Sequence, residues 1–302
     1  MVAAPLMRRC SLFDRAPNLG ILAWQVLQVS TVLSLVLAGL VLVIPTVPVS
    51  SSIAEFVHTC VMVIRQQYAT PGGAIVAGTS LALALTLLAR TAVHLARISL
   101  NTHRHRRDHR QRLELTGHTG PAGITVLEAA TPVVYCLPGR HARIVATSAA
   151  LTALDAHQLG AVLAHEHAHL RRRHHLLLLS SAAIAAALPL PSMRTAHAET
   201  TRLVELAADD AAAGHTDHLE LAEALLTLAE NRSPATTLAA GTTASAVRVR
   251  RLLNTPAPPR RFAALAGVAA VVLALLLPLA VAAGPAVAAA GADHCPIAPT
   301  AW

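Results

Sequence analysis

The sequence predicts a mainly α membrane protein: transmembrane helices plus a cytoplasmic α+β domain with a small β-sheet. Three observations carry this expectation. Of 302 residues, 54% are hydrophobic and only 13% are charged, against roughly 25% charged in an ordinary soluble chain. Three charge-free apolar runs reach the length of about 20 residues that a bilayer crossing needs. Between the last two runs lies a stretch of mixed polarity with both β-branched and helical patterning.

The first run is Ile21 to Ile44, ended by Pro45 and Pro48. It exceeds the roughly 7–15 residue apolar region of a cleaved signal peptide, so a retained span is expected. A second run covers Ala69 to Ala89 and closes with Arg90, His94 and Arg97. The third, Phe262 to Ala290, contains Pro278 and Pro285, which membrane helices tolerate when neighbours satisfy the freed backbone groups. Leu176 to Leu190 is apolar too, but too short for a full crossing. It is expected either to be buried in the domain or to dip into the membrane.

All 24 positive side chains are arginine, and their placement sets an orientation. Arg8, Arg9 and Arg15 precede the first span, the run RISLNTHRHRRDHRQR follows the second, and Arg260 and Arg261 precede the third. The positive-inside rule then places the N-terminus and everything from Arg97 to Arg261 in the cytoplasm, with the loop from Pro45 to Tyr68 outside. Localisation is therefore expected to be the cell membrane, multi-pass. The net charge of +8 need not imply nucleic acid, because a juxtamembrane stop signal explains the arginines beside the spans. Membrane lipid is an expected partner and direct nucleic-acid contact is not. Cys10, Cys60, Cys136 and Cys295 stand far apart without a C-x-x-C pair, which excludes a thiolate zinc site of the usual spacing.

The resulting division is 1–96 for an N-terminal tail and two spans (about 21–44 and 69–93) and 97–122 for a basic cytoplasmic linker. A folded domain occupies 123–260, the third span 261–290, and a short extracellular tail 291–302. Within the domain, GITVLEAATPVVYCLPGRHARIVATS reads as short strands broken by Pro132 and by the turn pair Pro138-Gly139. Thr147 suits the cap of a short helix. Asp155, with Gln158 three residues on, has the form of a capping box opening a longer helix at Ala156. Further helices are expected over about Ala196 to Ala213 and Leu219 to Asn231, and a small-residue loop over Thr236 to Ser245.

The helix from Ala156 carries LAHEHAHLRRRHHLLLL. A basic helix end leaning on a membrane would explain the arginines but not the glutamate. His165 and His169 are four apart, hence on one helical face. Two such imidazoles can bind one Zn2+, with Glu166 reaching a water as general base. His167 falls on another face and is expected not to be a ligand; His174 and His175 are expected at the bilayer interface. Zinc needs a third protein ligand, and VELAADDAA offers Glu205 for it. Asp209, one turn on, is placed to accept the N–H of a ligating histidine, while Asp210 is expected to be solvated. Alone, this second segment would be an acidic helix face.

H-E-x-x-H followed by E-x-x-A-D resembles the gluzincin arrangement of integral-membrane metallopeptidases. In particular, the chain resembles the BlaR/MecR-type peptidases and their HtpX-like relatives. TPVVYCLPGRHARIVATSAALTAL is similar to the lead-in to their zinc helix, and the likeness covers about Gly123 to Ala213. It implies a zincin-like metalloprotease domain binding Zn2+ through His165, His169 and Glu205, with Glu166 as catalytic base and Asp209 behind the ligands. It also implies that an edge strand near Val133–Cys136 holds peptide substrate by strand addition.

The expected function is that of a membrane-embedded zinc endopeptidase acting on cytoplasmic or membrane-proximal proteins. A BlaI/MecI-type transcriptional repressor is one substrate class and misfolded membrane proteins, as for HtpX-like enzymes, another. A zinc-binding regulatory protein without turnover is the non-enzymatic alternative. The antibiotic-sensing members carry a penicillin-binding domain and a further span; only 291–302 follow the third run here, without S-x-x-K, so no β-lactam sensing is expected. His197, Arg202 and His215 are weak candidates for stabilising an oxyanion.

Overall fold

A computed structural model describes residues 3–41, 71–230, 239–254, 257 and 259–292. The outer loop from Pro45 to Tyr68 and the tail beyond 292 lie outside these residues. The chain forms two compact units, Met1–Gln25 with His94–Gly267 and Val26–Val93 with Val268–Trp302.

The second unit is built from apolar helix. α1 (Ala3–Arg8), α2 (Ser11–Arg15) and the start of α3 (Pro17–Val41) belong to the first unit, and the second takes the rest of α3 and the apolar part of α4 (Pro71–Thr116). Among the described residues, three helices are long and apolar enough to cross a membrane, at Pro17–Leu40, within Gly72–Thr116 and at Arg261–Ala283. Leu265, Leu273, Leu276 and Leu277 of the last are each at least half exposed. An apolar surface of that kind fits lipid far better than water. Within this unit a Cβ on Gly39 would meet Ser80 O and Ala84 Cβ at 2.9 Å each, a small-residue approach typical of membrane helix pairs.

The first unit holds a four-stranded sheet and a layer of helices. α4 continues as helix through the basic stretch to Thr116, so most of the segment read as a linker is helical. β1 (Gly117–Thr119) follows at once, then β2 (Thr125–Leu127), β3 (Val134–Leu137) and β4 (Arg143–Thr147). The spatial order is β1-β2-β4-β3. β4 pairs parallel with β2 and antiparallel with β3, with Val134 opposite Ala146 and Leu137 opposite Arg143. β3 is thus an edge strand, close to the position that the resemblance implies. Gly139, at φ 144, gives the β3–β4 turn a backbone that residues with a Cβ avoid.

α5 (Ser148–Ala153) starts at Thr147, whose hydroxyl accepts from Ala150 N. α6 (Ala156–Arg171) starts with the expected capping box: Asp155 Oδ1 accepts from His157 N and Gln158 N at 2.9 Å. α7 (His174–Ala187), α8 (Pro191–Ala213) and α9 (His218–Glu230) follow. α8 begins five residues before the sequence expectation, with Pro191 in its first turn, where proline's missing N–H costs nothing. α7 covers most of the short apolar stretch and packs against α8, burying Ser181, Ala183, Ile184 and Ala187.

α10 (Ala239–Leu253) corrects the expected loop from Thr236 to Ser245: from Ala239 onward it is helix. Small residues hid the periodicity there. Val249 and Leu252 are buried anchors, packing with Ala161, Ala212 and Leu221. α11 (Arg261–Ala292) ends the described chain. Alanines dominate the helical core: Ala161, Ala196, Ala207, Ala208 and Ala212 are all fully buried. Their small side chains let α6, α8 and α9 approach closely, which is what brings the next residues together.

Candidate metal centre

α6 and α8 pack against each other. His165 and His169 of α6 face Glu205 and Asp209 of α8, each pair one helical turn apart. His165 Nε2 lies 3.0 Å from His169 Nε2, and Glu205 places one carboxylate oxygen 3.6 Å from each of these nitrogens. The three ligand atoms lie within 4.8 Å of one another. A tetrahedral Zn2+ with ligands at about 2.0–2.1 Å holds its donor atoms about 3.3–3.4 Å apart. The observed separations straddle that value. Two imidazoles and a carboxylate are also a donor set zinc accepts while keeping a fourth position open, so these residues fit the ion.

Behind this triad stands a charged lattice. Asp209 is 1% exposed and its Oδ1 accepts from His165 Nδ1 at 3.0 Å, which leaves His165 Nε2 directed at the centre. Arg248 of α10 donates to both Asp209 oxygens at 2.6 and 2.8 Å and lies 3.0 Å from Glu205. Sequence reading did not single out Arg248, which lies between the expected loop ending at Ser245 and the third apolar run, where no element was assigned. The signal was there: Arg248 and Arg251 share one face of α10. They match the acids Glu205, Asp209 and Asp210 on α8. Arg251 grips Asp210 at 2.5 and 3.0 Å; Asp210 is exposed, as expected, and carries an ion pair as well.

Electrostatics divides the imidazoles. Burial alone would lower His165, but hydrogen bonds to Asp209 and Glu205 prevail and raise it to about 9. Burial, opposed by Glu205 but aided by the His165 and Arg248 charges, lowers His169 to about 4. Nitrogens 3.0 Å apart cannot both carry protons toward each other, so without metal one cation occupies the pair. Burial would raise Glu205, yet the His165 hydrogen bond and the Arg248 guanidinium hold it at about 2. Asp209 is held at about 2 as well: burial opposes ionisation, and hydrogen bonds from Arg248 and His165 overcome it.

Glu166 is half-buried and belongs to a different interaction. Burial pushes its carboxyl up, against the pull of the His165 charge and of the Cys136 thiol and backbone N–H on β3. It therefore sits between the His165–His169–Glu205 cluster and the open edge of the sheet. Thr147 N donates to Val133 O, and Val133 N donates to Thr147 Oγ1. Alternation along an antiparallel pair then turns the backbone groups of Val134 and Cys136 outward, on the strand beside Glu166.

The other candidates fall elsewhere. His167 is exposed and bonds Leu163 O of its own helix, consistent with a non-ligand. His197 lies 3.3 Å from Ser181 Oγ, Arg202 pairs with Glu199 and Asp14, and His215 bonds Ala211 O. None of the three oxyanion candidates is recorded in contact with the triad. His174, expected at a bilayer interface, is instead 2% exposed with Nδ1 3.0 Å from His169 Nδ1. Burial, with the His169 and Arg172 charges, lowers it to about 4 and keeps it neutral.

Residues 126–199 match the family model described as Peptidase family M48. The match includes β3, β4 and the His165, Glu166 and His169 positions, and ends before Glu205. That segment is similar to a family of metallopeptidases, while Glu205, Asp209 and Arg248 are joined to it by this fold. No curated protein and no solved structure gives a significant match.

Proposed function

We propose that the chain is a membrane-embedded zinc endopeptidase that cuts extended segments of proteins at the cytoplasmic face. The observation that carries this is the convergence of His165, His169 and Glu205 from two helices, with Glu166 between them and an open strand edge. Its likeness to Peptidase family M48 over 126–199 supports the same chemistry.

The chain's own residues divide the work. When bound, the ion supplies Lewis-acid polarisation of the scissile carbonyl and of the attacking water. A substrate strand pairs with the outward backbone groups of Val134 and Cys136, which reads main chain and favours unfolded segments. Glu166 takes a proton from the attacking water and hands it to the leaving amine; its raised pKa suits both halves of that transfer. Asp209 holds His165 in one tautomer, and Arg248 holds Asp209 and Glu205 in register. The cytoplasmic placement follows from the arginine flanks, and we infer a repressor of BlaI/MecI type or misfolded membrane protein as substrate.

The test is metal analysis and peptide hydrolysis by the full chain in detergent, beside Glu166→Ala. About one zinc per chain in both proteins, with hydrolysis in the parent alone, is the expected result. Absence of bound zinc, or undiminished hydrolysis by Glu166→Ala, would refute the reading.

A further inference from the structure

α6 and α7 are joined by a backbone turn that places one particular side chain. Arg173 stands in the left-handed conformation at φ 51 and ψ 40, which is disfavoured for any residue with a Cβ. Its own side chain is exposed and makes no use of the turn. The beneficiary is the next residue. His174, first in α7, folds back beneath His169, with ring centroids 4.9 Å apart at an interplanar angle of 87°. At 2% exposed it is among the largest fully buried polar side chains of the chain. Unusual backbone of this kind persists where something else requires it.

What His174 meets is the far side of a metal ligand. His169 Nε2 faces His165 and Glu205, so His169 Nδ1 points away from the centre, and 3.0 Å from it lies His174 Nδ1. A ligating histidine generally gives its second N–H to a partner, which fixes ring and tautomer. For His165 that partner is the Asp209 carboxylate. No carboxylate is recorded against His169 Nδ1 among the described residues.

We propose that His174 is the positioning residue for His169: its Nδ1 accepts the His169 Nδ1–H and keeps the His169 Nε2 lone pair aimed at the metal. The two histidine ligands are then held unequally, one by a carboxylate and one by a neutral imidazole whose own proton sits on Nε2. The left-handed turn at Arg173 exists to deliver that acceptor. This inference rests on the metal-centre reading above and adds a residue to it.

The experiment compares His174→Asn with His174→Leu in the full chain. The two side chains have nearly the same shape and leave the same space behind; only asparagine offers an acceptor oxygen where Nδ1 stood. Zn2+ affinity is measured by chelator competition, and the Co2+-loaded proteins by visible absorption. Leucine is expected to weaken zinc about 10- to 100-fold and to alter the cobalt spectrum, while asparagine recovers most of the affinity. Equal affinities for the two variants would overturn the assignment. Nitrogen-15 spectra of histidine-labelled, zinc-loaded parent protein test the same point without any substitution. His169 should be protonated at Nδ1 and His174 at Nε2; ligation through His169 Nδ1 would overturn it. A parent protein that holds no zinc would instead end the metal-centre reading itself.

Discussion

At the scale of residues, the centre is organised by protons as much as by ligands. Without metal, the hydrogen bonds to Asp209 and Glu205 hold His165 up to about 9, while burial lowers His169 to about 4 and the His165 hydrogen bond with the Arg248 charge lowers Glu205 to about 2. Zinc takes neutral imidazole, so at neutral pH only His165 has a proton to lose. Metal uptake should therefore release about one proton, and affinity should rise about tenfold per pH unit until it levels off near pH 9. Calorimetry of zinc binding in buffers of different ionisation enthalpy reads the proton directly; binding with no buffer dependence would contradict the assignment. Arg248 gives a second expectation. Its fork is a neutralising partner of an aspartate that is 1% exposed. Arg248→Leu removes one of the two cations that face this carboxylate and leaves His165, so it should destabilise, by less than the roughly 3–5 kcal/mol that a fully stranded buried charge costs. Arg248→Lys keeps the charge without the planar fork and should fall between the two. Thermal unfolding of the metal-free proteins in detergent ranks them, and an unchanged midpoint for Arg248→Leu would show Asp209 to be neutralised otherwise.

At the scale of elements, β3 is where fold and chemistry meet. One face of the strand carries Val134 and Cys136 toward α6, where Leu163 and Leu170 pack; the other carries Tyr135 and Leu137 toward Leu113 of α4. Tyr135 OH is 2.5 Å from His109 Nε2, and Arg110 donates to Pro138 O at 2.8 Å. The strand is thus clamped on both faces while no further strand pairs with its outer edge among the described residues. Proline at Val134 removes one outward N–H and spares the ladder to β4, as an edge strand permits. Val134→Pro should lower hydrolysis of extended peptides while zinc content and thermal midpoint stay near those of the parent. Tyr135→Pro, whose N–H faces β4, should lower the midpoint instead. Equal loss of stability in both would mean that the register of the edge is not as alternation implies.

At the scale of the whole molecule, three apolar helices meet the length of a bilayer crossing, and the arginine flanks supply an orientation. A reporter active only in the cytoplasm should work when fused after Thr255 and fail when fused after Ser51. Activity at Ser51 would reverse the orientation, and with it the side on which substrates are sought. Zinc binding and Glu166 chemistry would survive such a reversal, since they depend on the sheet, α6–α8 and Arg248 of α10.

The sequence by itself determined whatever is written in short range. The apolar runs need only their own length, the Asp155 capping box only three residues, and the one-face pairing of His165 with His169 only the helical period. Even the pairing of Glu205 and Asp209 on one face was legible, because the two carboxylates share one turn of one helix. The tertiary structure alone decided what depends on the chain returning to itself. β1, three residues long, exists because β2 lies beside it. Arg248 reaches Asp209 across 39 positions of sequence, from a helix whose small residues gave little periodic signal. His174 lies under His169 because one left-handed residue turns the chain. Local patterns fix a residue's direction from its own helix or strand; which partner stands there is settled when the elements pack and every buried polar group must find one.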